Sequence, residues 1–398
     1  MIRDIKPASP VRRLRRNFSE EEVERRFSIS AVAPVVGMSR AYIVRALGYR
    51  PGSRPATISL TQVLELLDVD GYQETFVPRS LVPDYLLGLG TTTAQPPLDT
   101  RETATLLAGD ARALLPALPA GSVQCVVTSS PYWGMRVYET HRDIAWADGE
   151  RCPYGFEQTP EGFIRHTVEL LHLLRPAMSL TGSVWWNLMD TYNTRTPIRG
   201  SSHEKLRAMG GQSDYTLGWT EHLACRHSAG HMYLEDGEQS SIPGRVAERA
   251  SRIGYWLKSL ITWNKNSTPE PVRSRVTRHA EYILHLSVRR APVFKRAEWQ
   301  RLPRRLGGPN PPFESVKKLT DIWWLPTGTG QNGHGAEFPI ALPARCISLS
   351  TKKGDLVLDP FVGGGTTAIA AAELGRRFVG FDISRTYVAR AKERLELV

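Results

Sequence analysis

The sequence predicts an α/β protein: a doubly wound, mostly parallel sheet preceded by a small helical domain. Two observations carry this. From Asp99 onward, short apolar runs that read as strands alternate with amphipathic stretches that read as helices, the pattern of a parallel sheet covered on both faces. Near the end, a strand, a glycine-rich turn and a helix follow one another directly in DLVLDPFVGGGTTAIAAAELG (residues 355–375). In doubly wound sheets such a unit binds ligands at a strand's carboxyl end.

Taken in chain order, the first 17 residues form a basic arm with Arg12, Arg13, Arg15 and Arg16. Its arginines are followed by no apolar run, so no secretory signal is expected. Over residues 20–50 the apolar positions Ala31, Val32, Val35 and Val36 recur at helical spacing. Gly37 suits a left-handed turn, and Ser39 suits the cap of a second helix bearing Ile43, Val44 and Leu47. This resembles a helix-turn-helix, whose second helix enters the major groove of DNA. Any small helical hairpin reads similarly, and Pro34 would cost the first helix a hydrogen bond. The polar stretch ending in GLGTTTAQPPLDT reads as a linker. The expected division is therefore 1–95 for the N-terminal domain and 96–398 for the catalytic domain.

Within the second part, TATLLAG, SVQCVVTSS, GSVWWNLMD, SLITWNK, YILHLSV, DLVLDPF and RFVGFDI read as strands. EGFIRHTVELLHLL, GRVAERASRIGYWLKS and TTAIAAAELG read as helices between them. Asp190–Ser241 and Arg289–Gly330 are long for connections in this architecture.

Bulk properties narrow the partner. The chain carries a formal charge of +11 and a pI near 9.6, which attracts polyanions, nucleic acid first among them. No stretch has the length of a membrane span. The four cysteines are far apart, so a reducing cytoplasm is expected rather than a disulfide framework. His222, Cys225, His227 and His231 match no standard zinc spacing, and no metal is expected.

The glycine loop is the sharpest local signal. Small residues let backbone approach a ligand, and the following helix offers free amide hydrogens. Asp382, at the end of the next strand, suits hydrogen bonds to ribose hydroxyls. A dinucleotide site needs G-x-G-x-x-G, which Thr366 and Thr367 break. DPFVGGGTT instead resembles the S-adenosylmethionine loop of the amino-group DNA methyltransferases. A second segment resembles that family's catalytic loop, which reads Ser, Asp or Asn, then two prolines, then an aromatic residue. Here it is Ser129, Ser130, Pro131 and Tyr132, with serine in the first proline position.

The resemblance covers roughly residues 99–398, catalytic loop first and cofactor loop last, as in the permuted beta group of these restriction-modification enzymes. It implies a methyltransferase fold that takes S-adenosylmethionine and acts on double-stranded DNA, with a cognate restriction endonuclease as a further partner. It implicates Asp110, Phe338, Pro339, Asp359, Phe361, Gly363, Gly365, Thr366 and Asp382 in cofactor binding. It also puts a target-recognition insertion at about 289–330, where Arg289, Arg290, Lys295, Arg296, Arg301, Arg304 and Arg305 are interleaved with Phe294 and Trp299. Basic residues with aromatics suit phosphate contact and base stacking.

The implied chemistry explains the catalytic loop. An exocyclic amino nitrogen shares its lone pair with the ring and is a poor nucleophile. Two fixed acceptors, the Ser129 side chain and the Ser130 carbonyl, would hold its hydrogens and turn the lone pair toward the methyl group. Tyr132 would stack on a base extruded from the duplex. Serine at the loop's first position is more typical of cytosine-N4 enzymes and a carboxylate of adenine enzymes. N4 of cytosine is therefore the expected target and N6 of adenine the alternative. A regulator that kept the fold and lost catalysis is a further alternative, since Ser130 departs from the pattern. A 5-methylcytosine enzyme needs a cysteine nucleophile, and Cys125 sits inside an apolar strand.

Overall fold

The computed structural model describes residues 17–50, 52–53, 55–88, 95–134, 142–193, 233–235, 237–265, 275–325 and 338–397. The chain divides into two compact units, Met1–Thr91 and Thr92–Val398. The basic arm and the proposed histidine–cysteine cluster lie outside the described residues, as does most of 190–241.

In the first unit, Ser19 and Glu22 form a capping box on α1 (Glu20–Glu24). Strand β1 (Arg26–Ser28) pairs antiparallel with β2 (Thr57–Ser59). Between them come α2 (Ile29–Val36) and α3 (Arg40–Ala46), joined through Gly37 at φ 68°. Ser39 caps α3 by accepting from the Tyr42 amide. Pro34 stays inside α2. The carbonyl its missing N–H would have served belongs to Ser30, which is exposed to water. Helix α4 (Leu60–Leu67) and α5 (Val82–Leu86) close a core of Ile29, Val32, Val36, Ile43, Leu60, Val63 and Phe76. Ile43 is the one fully buried residue of α3, so that helix presents most of its surface outward.

The second unit is built on an eight-stranded sheet. Its strands are β3 (Ala104–Ala108), β4 (Val123–Ser129), β7 (Met178–Leu188), β8 (Trp256–Asn264), β9 (Ala280–Ser287), β10 (Ile322–Trp324), β11 (Leu356–Asp359) and β12 (Arg377–Asp382). A short hairpin, β5 (Ile144–Ala145) with β6 (Arg151–Cys152), stands apart. The order is β10-β8-β9-β7-β4-β11-β12-β3, with β9 alone antiparallel. The doubly wound α/β class is thus realised. β4 and β11 are adjacent while the chain continues outward in opposite directions from them, so their carboxyl ends form the topological switch point where ligands bind.

Helices α6 (Ala111–Leu114), α7 (Pro160–Leu174), α8 (Ile242–Arg252), α9 (Arg296–Arg301), α10 (Ala341–Ser350), α11 (Thr366–Glu373) and α12 (Arg385–Glu396) accompany the sheet. The helix read over 244–259 ends at Arg252. Gly254, at φ 96°, turns the chain, and Trp256 already belongs to β8. Helix α10 is buried along its whole length. Its Arg345 holds Glu314 through two bonds of 2.7 Å and donates to the Gly307 carbonyl at 2.6 Å. Trp299 and Trp323 flank that guanidinium. Among the described residues no helix is long and apolar enough to cross a membrane.

Candidate active site

The cleft at the switch point is lined by Asp110, Ser129, Pro131, Phe361, Gly363 and Asp382, with Tyr154 and Phe156 on its apolar side. Asp110 caps α6 just beyond β3, accepting from the Arg112 amide at 2.9 Å, and burial pushes its carboxyl up. Asp382 closes β12. One carboxylate oxygen accepts from the Gly363 amide and the other from the Ser384 amide, each at 2.9 Å. Burial raises this carboxyl too.

Asp359 stands behind the cleft rather than in it. It is fully buried and takes the hydroxyls of Thr128 and Thr367 at 2.6 Å and the Phe361 amide at 3.0 Å. Burial, opposed by these bonds, pushes its carboxyl up to about 6. It therefore braces the end of β4 against the glycine loop. Gly365 has φ 85°, and a Cβ there would lie 2.9 Å from that of Ala391. It admits α12 rather than a ligand, and Thr366 is buried beside it. Phe338 packs against the main core, and Pro339 holds the start of α10 through its carbonyl, so neither lines the cleft.

The catalytic-loop residues come together. Ser130 is buried, and its hydroxyl accepts from Trp186 Nε1 at 3.0 Å and lies 3.4 Å from the Tyr154 hydroxyl. Those contacts supply the fixity that a proline would otherwise give. Ser129 Oγ lies 3.1 Å from the Tyr132 hydroxyl and accepts from Asn187 Nδ2 at 3.3 Å. Tyr132 in turn donates to Glu281 Oε2 at 2.5 Å, and Lys265 pairs with Glu281 Oε1. Glu281 is 4% exposed. The sequence reading missed Asn187, Lys265 and Glu281. The available signal was a polar residue inside each apolar strand: Asn in VWWNLMD and Glu in AEYILHLS.

A strap from β5 to Glu157 roofs the cleft. Gly155 accepts from the Gly134 amide at 2.8 Å. Behind the strap, His166 is buried against Trp146, with Glu157 Oε1 at 2.9 Å on one ring nitrogen and Asp148 Oδ1 at 3.2 Å on the other. Burial would lower its pKa, but the two carboxylates raise it to about 9. An imidazolium thus clasps the strap to α7. With Glu150 and Cys152 it forms the one cluster of metal-ligand type among the described residues, and each of its ring nitrogens already faces a carboxylate oxygen.

The basic segment needs correction. β9 runs antiparallel, so Arg289 and Arg290 leave it at the sheet edge opposite Glu281, roughly 25 Å along the strand from the catalytic loop. Lys295 donates its backbone amide to the Leu349 carbonyl at the far end of α10, and Arg305 pairs with Glu373 at the end of α11. Arg296, Arg301 and Arg304 belong to the same stretch, and Arg301 pairs with Glu298. Trp299 is wholly buried and offers no face to a base. Among the described residues, Arg142 lines the cleft, Lys265 pairs with Glu281, and Arg275 and Arg278 lie over Tyr192. Cys125 is buried in β4 with its thiol pushed up by burial, the opposite of an activated nucleophile.

Three comparisons bear on this geometry. The N6/N4 methyltransferase family model, described as DNA methylase, matches residues 123–393. The chain is 31% identical over 298 residues to the Type II methyltransferase M.XycI of Xanthomonas campestris pv. cyanopsidis, covering 74% of this chain and 88% of that protein. It is 30% identical over 293 residues to M.SmaI of Serratia marcescens, covering 73% and 90%. The fold is similar to that of PvuII DNA methyltransferase (cytosine-N4-specific), with a TM-score of 0.51 at 18% identity over 74% of this chain and 87% of that one.

Proposed function

The chain belongs to the N6/N4 DNA methylase family, and we propose that it transfers a methyl group to N4 of cytosine in duplex DNA. S-adenosylmethionine is the methyl donor, and bound in the cleft it supplies an electrophilic methyl group. The residues suit it. Gly363 leaves room for close approach, Asp382 and Asp110 present carboxylates at the rim, and Phe361, Tyr154 and Phe156 give apolar walls.

The single observation that carries the cytosine assignment is the neutral hydroxyl of Ser129 at the mouth of this cleft, where an adenine enzyme would typically present a carboxylate. Ser129 Oγ and the Ser130 carbonyl hold the amino hydrogens, so that the nitrogen lone pair faces the methyl group. Digesting methylated duplex to nucleosides and weighing them tests the reading. N4-methylcytosine is expected, and N6-methyladenine as sole product would overturn it. The Type II names of the relatives also favour a restriction endonuclease partner and a cytoplasmic setting.

The first unit is assigned to duplex contact. Arg40 and Arg45 stand exposed on α3, on the second helix of a helix–glycine turn–helix. In the full chain, Arg40→Ala with Arg45→Ala should weaken duplex binding and lower the salt dependence by about two phosphate contacts. Unchanged affinity and slope would remove this assignment.

A further inference from the structure

The cluster behind Ser129 contains a carboxylate that the transfer as described does not use. Hydrogen counting fixes the direction of its bonds. A carboxylate only accepts, so the single hydrogen of the Tyr132 hydroxyl goes to Glu281 Oε2, 2.5 Å away. Asn187 Nδ2 only donates, and it lies 2.7 Å from both Tyr132 Oη and Glu281 Oε2. With its own hydrogen committed, Tyr132 Oη accepts from Ser129 at 3.1 Å. The donors therefore run one way, from Ser129 through Tyr132 to Glu281, and Lys265 sits on the far oxygen of the carboxylate. Each bond in such a chain polarises the next. Asn187 Nδ2 takes one lone pair of Ser129 Oγ from 3.3 Å, and the other is left for the amino group because the hydroxyl hydrogen is drawn back.

We propose that Glu281 is a positioning residue that makes Ser129 an acceptor, and that the chain Ser129–Tyr132–Glu281 carries away the proton the amino group sheds. This deepens the methyl-transfer reading and rests on it. The amino lone pair forms the new nitrogen–carbon bond while the carbon–sulfur pair leaves with sulfur. The nitrogen then bears a positive charge and one hydrogen too many. That proton passes to Ser129 Oγ as the serine's own hydrogen moves to Tyr132 Oη and the tyrosine's moves to Glu281 Oε2. A neutral carboxylic acid results beside Lys265, and its proton returns to solvent afterwards. A loop that opens on serine thus has its negative charge two hydrogen bonds behind Ser129 Oγ, on β9.

Single-turnover methylation by the full chain tests this in Glu281→Gln, Tyr132→Phe and the double variant, with cofactor and duplex affinities measured alongside. Each single change should slow transfer about a hundredfold while both affinities stay within about twofold. The double variant should be no slower than the slower single one, because one chain is broken twice. Glu281→Gln at the wild-type rate, or losses that multiply in the double variant, would overturn the relay. Should Glu281→Gln fail to fold, Tyr132→Phe alone decides: it removes one hydroxyl, and a wild-type rate there rejects the proposal. Nucleoside masses from the same reactions separate the two readings. An adenine product removes the cytosine assignment and leaves the relay, whereas a wild-type rate in the variants removes the relay and leaves the assignment.

Discussion

Facing each other across the cleft, the glycine loop after β11 and the Ser129–Tyr132 loop after β4 differ in what holds them. The glycine loop is fixed mainly by near neighbours. Asp359 takes the Phe361 amide and the Thr367 hydroxyl, and Asp382 takes the Gly363 amide from 19 positions away. The catalytic loop is fixed by side chains 24 to 149 positions away: Tyr154, Trp186, Asn187 and Glu281. One loop is a local backbone motif and the other a tertiary assembly. Asp359 joins the two through Thr128, 231 positions distant. A change at the first should therefore leave the fold intact, whereas the second ties the geometry of the cleft to the packing of β7, β9 and the strap.

The largest effect should come from the local loop. Asp382→Ala removes a carboxylate from the cleft and the anchor of two backbone amides. Cofactor affinity by calorimetry should fall about a hundredfold, with global stability changing by no more than about 1 kcal/mol. Unaltered affinity would break the comparison on this side.

Ser130→Ala tests the other side. It leaves buried Trp186 Nε1 without its acceptor, so urea unfolding should show a loss of about 1–3 kcal/mol. A stability loss smaller than that of Asp382→Ala would reverse the comparison.

The smallest effect is expected from pH, acting on the roof over both loops. The folded-state pKa of His166 is raised from 6.5 to about 9. Its stabilisation is therefore complete below pH 6.5 and lost as pH rises through 9. Between pH 7 and pH 8 the loss should be about 1 kcal/mol. It should vanish in His166→Gln, and an unchanged slope there would remove the clasp.

What the sequence determined is what short spacing encodes. The alternation of apolar runs and amphipathic stretches fixes a doubly wound sheet, because a strand buried on both faces and a helix buried on one leave different periodicities. The strand–glycine–helix unit and Asp382 are legible because the residues that line this side of the cleft lie within about 30 residues of one another. Ser129 to Tyr132 were legible as a loop for the same reason.

Tertiary structure decided the rest. Glu281, with Lys265 on its other oxygen, becomes a partner of Tyr132 only because β9 is inserted antiparallel beside β7, which sets Ile283 against Asn187 and Tyr282 against Leu188. The same reversal carries Arg289 and Arg290 to the end of β9 opposite Glu281, and Trp299 is taken into the core beside Arg345. Charge and aromatic content are properties of a segment, whereas the edge of the sheet on which they emerge depends on strand direction, which is settled by pairing between residues far apart in the chain.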